Sequence, residues 1–231
     1  MKTIGLIGGM SWESTAIYYR LINEEIKLRL GGLHSAQLLL WSFDFDEIAS
    51  LQSVGDWDGA TKRMVEAAIN LKNGGAETLV ICTNTMHKMA AEVERSSGLP
   101  VLHIADATAR AIKLKQIDKV GLLATNFTME QDFYKGRLNE YHNISTIIPD
   151  KNGRAIVHNV IYDELCKGIT RDASKEKFLN IIKQIVKNGA QGILLGCTEI
   201  GMLVKQEDVS VPVFDTTILH ANYAVQFALN D

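Results

Sequence analysis

Proline is scarce, with three residues in 231, and two of the three open matched apolar segments rather than a linker. No low-complexity stretch divides the chain. Three cysteines, Cys82, Cys166 and Cys197, are too few and too scattered for a disulfide framework. A reducing, cytoplasmic compartment is the expectation. No apolar run approaches the roughly 18 residues that suit a membrane span, so no membrane partner is expected. Positive charge is not in excess: 24 Lys and Arg stand against 27 Asp and Glu, a formal net charge of −3. That removes the basic footprint of a nucleic-acid binder. The six histidines (His34, His87, His103, His142, His158 and His220) show no metal-ligand spacing with the cysteines, so no metal site is expected. GLIGGM near the start matches neither the dinucleotide fingerprint nor the phosphate-binding loop. In MKTIGLIGG the apolar run is short, and glycines, Trp12 and Glu13 follow. It reads as a strand and its turn, not as a signal peptide.

What is present points to a globular enzyme-sized chain. Hydrophobic residues make up 46% and charged residues 22%, enough to bury one large core or two modest ones. The chain is also written twice. IGLIGG at 4–9 matches VGLLAT at 120–125, with Gly5 opposite Gly121, an offset of 116. Tyr18, Asn23 and Glu24 fall on Tyr134, Asn139 and Glu140 at that offset. NGGAETLVICTNT at 73–85 matches KNGAQGILLGCTE at 187–199 with an offset of 114, and LPV at 99–101 matches VPV at 211–213 with an offset of 112. Three matches in order, with nearly constant spacing, indicate duplication.

Each half alternates apolar strands with helical patterns. Strands are expected in IGLIGG, QLLLWSF, ETLVICT, PVLHIA, VGLLAT, TIIP, GILLGCT and VPVFD. Several are continuous apolar runs, as in parallel sheets covered on both faces. Helices are expected over residues 11–29, 57–73, 87–96, 128–140, 155–167 and 174–188, with Ser11 and Thr128 as caps. The fold class is therefore α/β: two pseudo-symmetric Rossmann-like domains with mainly parallel sheets. Residues 1–100 plus 212–231 form the expected first domain and 101–211 the second, the last strand and helix returning to the first half.

Ligands in open α/β sheets bind at the carboxyl ends of strands, where ICTNT and GCTE lie. The offset of 114 makes Thr83 the counterpart of Cys197, while Cys82 matches Gly196. Successive strand side chains point to opposite faces, so a Thr83 that faces a cleft turns Cys82 into packing. Cys166 reads as a second packing thiol. Cys197 stands at a strand-to-loop junction, where backbone N–H groups and a helix start would favour a thiolate; a buried structural cysteine is the competing reading. Two acid/base groups facing each other suit inversion of a stereocentre, one removing a proton from carbon and the other delivering one. Asn84, Thr85 and Thr198 are candidate donors to a substrate carboxylate, and Asn84-Thr85 serves equally as a turn and cap. His87 is expected to orient the loop. Asp44 and Asp46 read as solvated loop charges, and Trp12, Trp41 and Trp57 as packing.

These residues resemble the aspartate/glutamate racemase superfamily, and most nearly its aspartate racemase branch. The likeness is carried by MKTIGLIGGMSWEST, TNTMH at 83–87, ATNFTMEQDFY at 124–134 and GCTEI at 196–200, and it spans essentially the whole chain. It implies a cofactor-independent homodimer with the active site in a cleft between two α/β domains, acting on a small-molecule amino acid. It also implies a pair of cysteines as proton-transfer groups. Here Thr83 replaces one of them, which is similar to L-aspartate/glutamate-specific racemases. The same resemblance implies that Met10, Gln52 and Thr128 contact substrate; Thr128 reads equally as a helix cap. Gln52 stands near where relatives carry an arginine, which opens the substrate range to glutamate and polar neutral amino acids. A lysine belongs near IYDELCKG, and the register leaves Cys166 or Lys167 there. A one-cysteine decarboxylase or isomerase of the same superfamily, or an amino-acid-binding protein without turnover, are the alternatives.

Overall fold

The computed structural model describes residues 1–230. The chain divides into two compact units: residues 1–103 with the chain end from His220 onward, and residues 104–219. Both are α/β with wholly parallel sheets.

In the first unit, β1 (Ile4–Gly8) lies between β2 (Leu38–Ser42) and β3 (Thr78–Ile81). Helices α1 (Trp12–Leu30), α2 (Phe45–Val54), α3 (Trp57–Asn73) and α4 (Ala90–Ser97) fill the connections. Their ends follow from local chemistry. Ser11 caps α1 by accepting from the Ser14 N–H at 3.3 Å. Glu13 stands in its first turn, with Lys27 and Arg29 in its last. Asp44 and Asp56 cap α2 and α3 by accepting from the N–H groups of Asp46 at 3.2 Å and Gly59 at 2.8 Å. Asp44 is thus a cap rather than a free loop charge. The residues 87–96 expected as one helix begin instead as a 3-10 turn, Thr85–Met89.

The sheet is covered on both sides, which its apolar runs require. Ile4 and Leu6 pack with Tyr18, Ile22, Val80, Cys82 and the last helix, α11 (Thr216–Leu229), through Ala221, Ala224 and Val225. Ile7, Leu79 and Ile81 pack on the other face with Met64, Ala67 and Ala68 of α3.

In the second unit the order is β5 (Ser145–Ile147), β4 (Lys119–Leu123), β6 (Ile193–Leu195), β7 (Val213–Asp215). Helices α5 (Ile104–Leu114), α6 (Asn126–Glu130), α7 (Asp132–His142), α8 (Lys151–Asp163), α9 (Asp172–Lys187) and the short α10 (Ile200–Leu203) surround it. Ile104, Val120, Leu122, Phe178, Ile181 and Ile185 belong to its continuous core. The expected helix over 128–140 is two helices that start earlier, at Asn126, so Thr128 lies inside α6 and is not its cap. The helix expected over 155–167 starts at Lys151, because the Asp150 carboxylate accepts from the Gly153 N–H at 2.7 Å.

The two sheets repeat the same register. Leu79 stands beside Gly5, and Ile193 beside Gly121. A Cβ on Gly5 would meet Ala76 Cβ at 2.9 Å, and one on Gly121 would meet Ala190 Cβ at 3.6 Å, besides Ile185 and Ile193. The matched glycines and alanines of the two halves are neighbours in space. The third match also has a structural meaning. Val101 makes a single parallel bridge to Leu79, where Val213 opens β7 beside Ile193. PVLHIA is therefore not a full strand, and α5 begins at Ile104. The last strand does not return to the first half: β7 extends the second sheet, as the counterpart of that bridge. Only the helix end from His220 is grouped with the first unit.

Candidate active site

Each unit carries its own set of candidate residues, most of them just past the carboxyl ends of equivalent strands, with Gln52 on α2 and Thr128 in α6. The first set begins with the turn after β1. Gly9 has φ +83°, and a Cβ there would meet the backbone N and O of Phe43. Only glycine suits both constraints. Thr15 locks this turn: its hydroxyl accepts from the Gly9 N–H and donates to the Ser11 carbonyl, both at 2.8 Å. Met10 follows, 6% exposed and packed with Ile7, Phe43 and Met86.

Cys82 and Thr83 follow β3 directly, in the bend that opens the loop. The Cys82 N–H donates to the Ile7 carbonyl at 2.9 Å. Its thiol lies with Ile4, Leu6 and Tyr18, and burial pushes it far above the ordinary thiol range. Thr83 is half-buried, and Asn84 and Thr85 beside it are buried. Asn84 stands at the cap position just before the 3-10 turn and makes no side-chain cap bond. Gln52, at the end of α2, is buried and its amide donates to the Met86 sulfur at 3.1 Å. It is held beside the same turn by a neutral contact.

His87 anchors this loop. Its Nδ1 donates to the Thr83 carbonyl at 2.8 Å, which fixes the proton on that nitrogen. The ring sits 4.7 Å from His103 and 5.4 Å from His220, centroid to centroid. His220 donates from Nε2 to the Leu102 carbonyl at 2.6 Å and accepts from the Tyr18 hydroxyl at 2.9 Å. Burial, then the neighbouring histidines, hold His87 well below its ordinary pKa. It stays neutral in the folded protein at physiological pH.

The second set is built from the ends of β4, β6 and β7 and from α8. The Thr125 carbonyl accepts from the N–H groups of Thr128 and Met129, both at 3.0 Å, and the two threonine hydroxyls are 3.5 Å apart. Thr128 is fully buried. The Asn126 N–H donates to His158 Nδ1 at 3.3 Å, while the Asn126 carbonyl oxygen Oδ1 is buried without a hydrogen-bond partner. His158 packs against the rings of Phe127 and Tyr162, and burial lowers its pKa. Tyr162 is pushed up to about 12 by burial and then by the negative field of Cys197, Cys166 and Glu199. Cys166, in the 3-10 turn Leu165–Lys167, is part of this surrounding. Sequence reasoning singled out neither Asn126, His158 nor Tyr162. Asn126 and Tyr162 were legible only as members of recognised stretches, and nothing in their spacing ties α8 to β6.

Cys197 is half-buried and its thiol donates to Glu199 Oε2 at 2.9 Å. Thr198 is buried, and its hydroxyl accepts from Thr217 at 3.3 Å. The expected thiolate-favouring field is not what surrounds the sulfur. Helix α10 has only four residues and starts three positions on. Burial first, then the charges of Glu199 and Cys166, raise the Cys197 thiol well above its ordinary value; the Glu199 N–H pulls weakly the other way. The resting sulfur is a thiol.

The strand registers tie the two sets together by symmetry. The Cys82 N–H bonds to Ile7 O, and the Gly196 N–H bonds to Leu123 O at 2.8 Å. Cys82 and Gly196 are thus structural equivalents, and the next residues, Thr83 and Cys197, are equivalents too. The resemblance placed a lysine near residues 166–167; Lys167 is exposed and Cys166 half-buried.

The family profile described as Asp/Glu/hydantoin racemase matches residues 7–224. Among solved structures, a Yersinia pestis protein provisionally assigned as an Asp/Glu racemase is 56% identical with a TM-score of 0.94, over 99% of this chain and 100% of that one. An aspartate racemase homologue from Pyrococcus horikoshii is 34% identical with a TM-score of 0.85, over 99% and 100%. A broad specificity amino-acid racemase of Bacillus subtilis is 19% identical, over 96% of each chain.

Proposed function

Since the chain belongs to the Asp/Glu/hydantoin racemase family, we propose that it racemises acidic amino acids without a cofactor, using Thr83 and Cys197 on opposite faces of the α-carbon. The observation that carries this reading is the shared register. A hydroxyl and a thiol occupy the same place at the ends of two equivalent strands, β3 and β6. Inversion needs one group to take a proton from carbon and another to return one from the opposite side.

The two groups are chemically unequal. A thiol reaches its anion far more easily than an aliphatic hydroxyl, so Cys197 is the base and Thr83 the proton donor. The favoured direction therefore starts from one enantiomer, which we take to be the L form. Asn84, Thr85 and Thr198 supply donors for the substrate carboxylate, where charge spreads as the α-proton leaves. Thr128, though fully buried, and the Asn126 oxygen extend the second set. Gln52 with Met10 would meet the side chain by a neutral contact. That supports aspartate and glutamate alongside polar neutral amino acids, a range to which the broad specificity of the Bacillus subtilis relative also points.

We further take the working form to be a cytoplasmic homodimer. Support comes from the exposed apolar surface of the first unit: Trp12 at 68% and Tyr19 at 56% on α1, and Leu40 at 50% on β2.

Solvent-deuterium incorporation at the α-carbon, followed by NMR for both enantiomers of a panel of amino acids, tests the proposal. Fast exchange from one enantiomer of aspartate or glutamate and slow exchange from the other is expected. Equal rates from both would sink the asymmetric assignment. Carbon dioxide release from a malonate-type acid would instead identify a one-cysteine decarboxylase.

A further inference from the structure

Glu199 has no part in the reading above, yet its place is unusual. It is 6% exposed, two residues past Cys197 in the same loop, and its Oε2 accepts the Cys197 thiol at 2.9 Å. Carboxylates are buried this deeply only when they are held by partners. A carboxylate against the sulfur also opposes a free thiolate, because two negative charges at that distance repel. The arrangement suits one proton held between two acceptors.

We propose that Glu199 is a positioning residue that takes the thiol proton of Cys197 during turnover and then releases it to solvent. The proposal rests on the racemase reading of Cys197. In the forward step the S–H bond breaks and its proton moves to Glu199 Oε2. The freed sulfur pair then forms a new S–H bond with the substrate's α-proton. The Cα–H bond breaks, and its electron pair stays on carbon and spreads into the substrate carboxylate. The pair begins with one proton and ends with two. It returns to one when Glu199 releases its proton to solvent, and no electron acceptor or donor is required. In the reverse direction the doubly protonated pair acts as the acid. The raised thiol pKa is a cost of this transfer, so the sulfur gives up its proton only as the substrate's α-proton reaches it. Cys166 and Tyr162 are the other titratable groups felt at this sulfur.

The test uses the full chain with Glu199→Gln and Glu199→Asp. Two quantities are followed from pH 6 to 10: α-deuterium exchange of L- and D-aspartate, and alkylation of Cys197 by iodoacetamide, read by mass spectrometry. Buried Cys82 is the folding control, unreactive in a folded variant. Glutamine keeps the size but removes the charge and the proton site. The alkylation midpoint of E199Q should fall by about one pH unit or more. Its kcat for exchange should nevertheless drop by about 100-fold, with KM changed less than about threefold. E199D should retain at least about a tenth of the wild-type kcat. Faster alkylation with slower turnover is the signature. Exchange by E199Q at or above the wild-type rate, an unmoved midpoint, or equal losses in both variants would overturn the proposal. If E199Q exposes Cys82, E199A decides: restoration of exchange by added formate upholds the role, and no restoration overturns it. If the wild type exchanges no amino acid, the racemase reading has failed. The alkylation midpoints then still decide whether Cys197 and Glu199 share a proton.

Discussion

Acid should loosen the first unit through His87, and the size of the effect can be worked out. The ring is 3% exposed, bonded through Nδ1 to the Thr83 carbonyl, and packed at steep angles against His103 and His220. Its pKa lies well below 6.5 when folded and near about 6.5 when unfolded. Below that pH the unfolded chain binds a proton that the folded chain refuses. Stability is therefore fully present above about pH 6.5 and is lost as the pH falls, at about 1.4 kcal/mol per unit for one such group. Between pH 8 and pH 5 this amounts to about 2 kcal/mol. His87→Asn removes the titration while an amide N–H can still reach the carbonyl, at a packing cost of about 2 kcal/mol that does not vary with pH. All three tryptophans, Trp12, Trp41 and Trp57, lie in the first unit, so their fluorescence in urea follows the unit that holds His87. The gap between wild type and H87N should be widest at pH 8 and should close by about 2 kcal/mol at pH 5. A gap that stays constant across this range would refute the argument that His87 is buried neutral.

Thr83→Cys should speed deuterium exchange in the slow direction far more than in the fast one; equal gains in both directions would remove the division of labour between hydroxyl and thiol. Cys82→Ala should cost about 1 kcal/mol in urea and leave exchange intact, and loss of exchange would overturn its assignment to packing. Gly9→Ala should destabilise the first unit by about 3 kcal/mol, from positive φ and collision with the Phe43 backbone, and a cost under about 1 kcal/mol would contradict the tight turn. Gly121→Ala should cost about 2 kcal/mol through Ile185 and Ile193, read by far-ultraviolet circular dichroism in urea; a neutral result would mean that the strand has room.

Much of the architecture was legible because it rests on short-range rules. Continuous apolar runs marked parallel strands buried on both faces, and the repeat offset set Thr83, not Cys82, opposite Cys197. Helix α3 was read to the residue, since periodicity and its cap agree. Helices α2 and α5 were missed: one follows a strand end rich in acids, and the other begins just past the expected domain boundary at residue 100, where PVLHIA read as a strand. Val101 and Val213 look alike in sequence, yet one makes a bridge and the other opens a strand. Such a difference depends on what flanks the sheet edge, which no local pattern reports.

Duplication, fold class and the equivalence of Thr83 and Cys197 were determined by the sequence alone, because a repeat keeps register and register is counted in residues. Tertiary structure decided the chemistry around that pair. It brought Glu199 onto the Cys197 sulfur, set Tyr162 and Cys166 within its field, and closed three histidines and Tyr18 behind the Thr83 loop. A thiol's proton affinity depends on burial and on charges a few ångströms away. Those distances exist only once strands and helices distant in the chain have packed together.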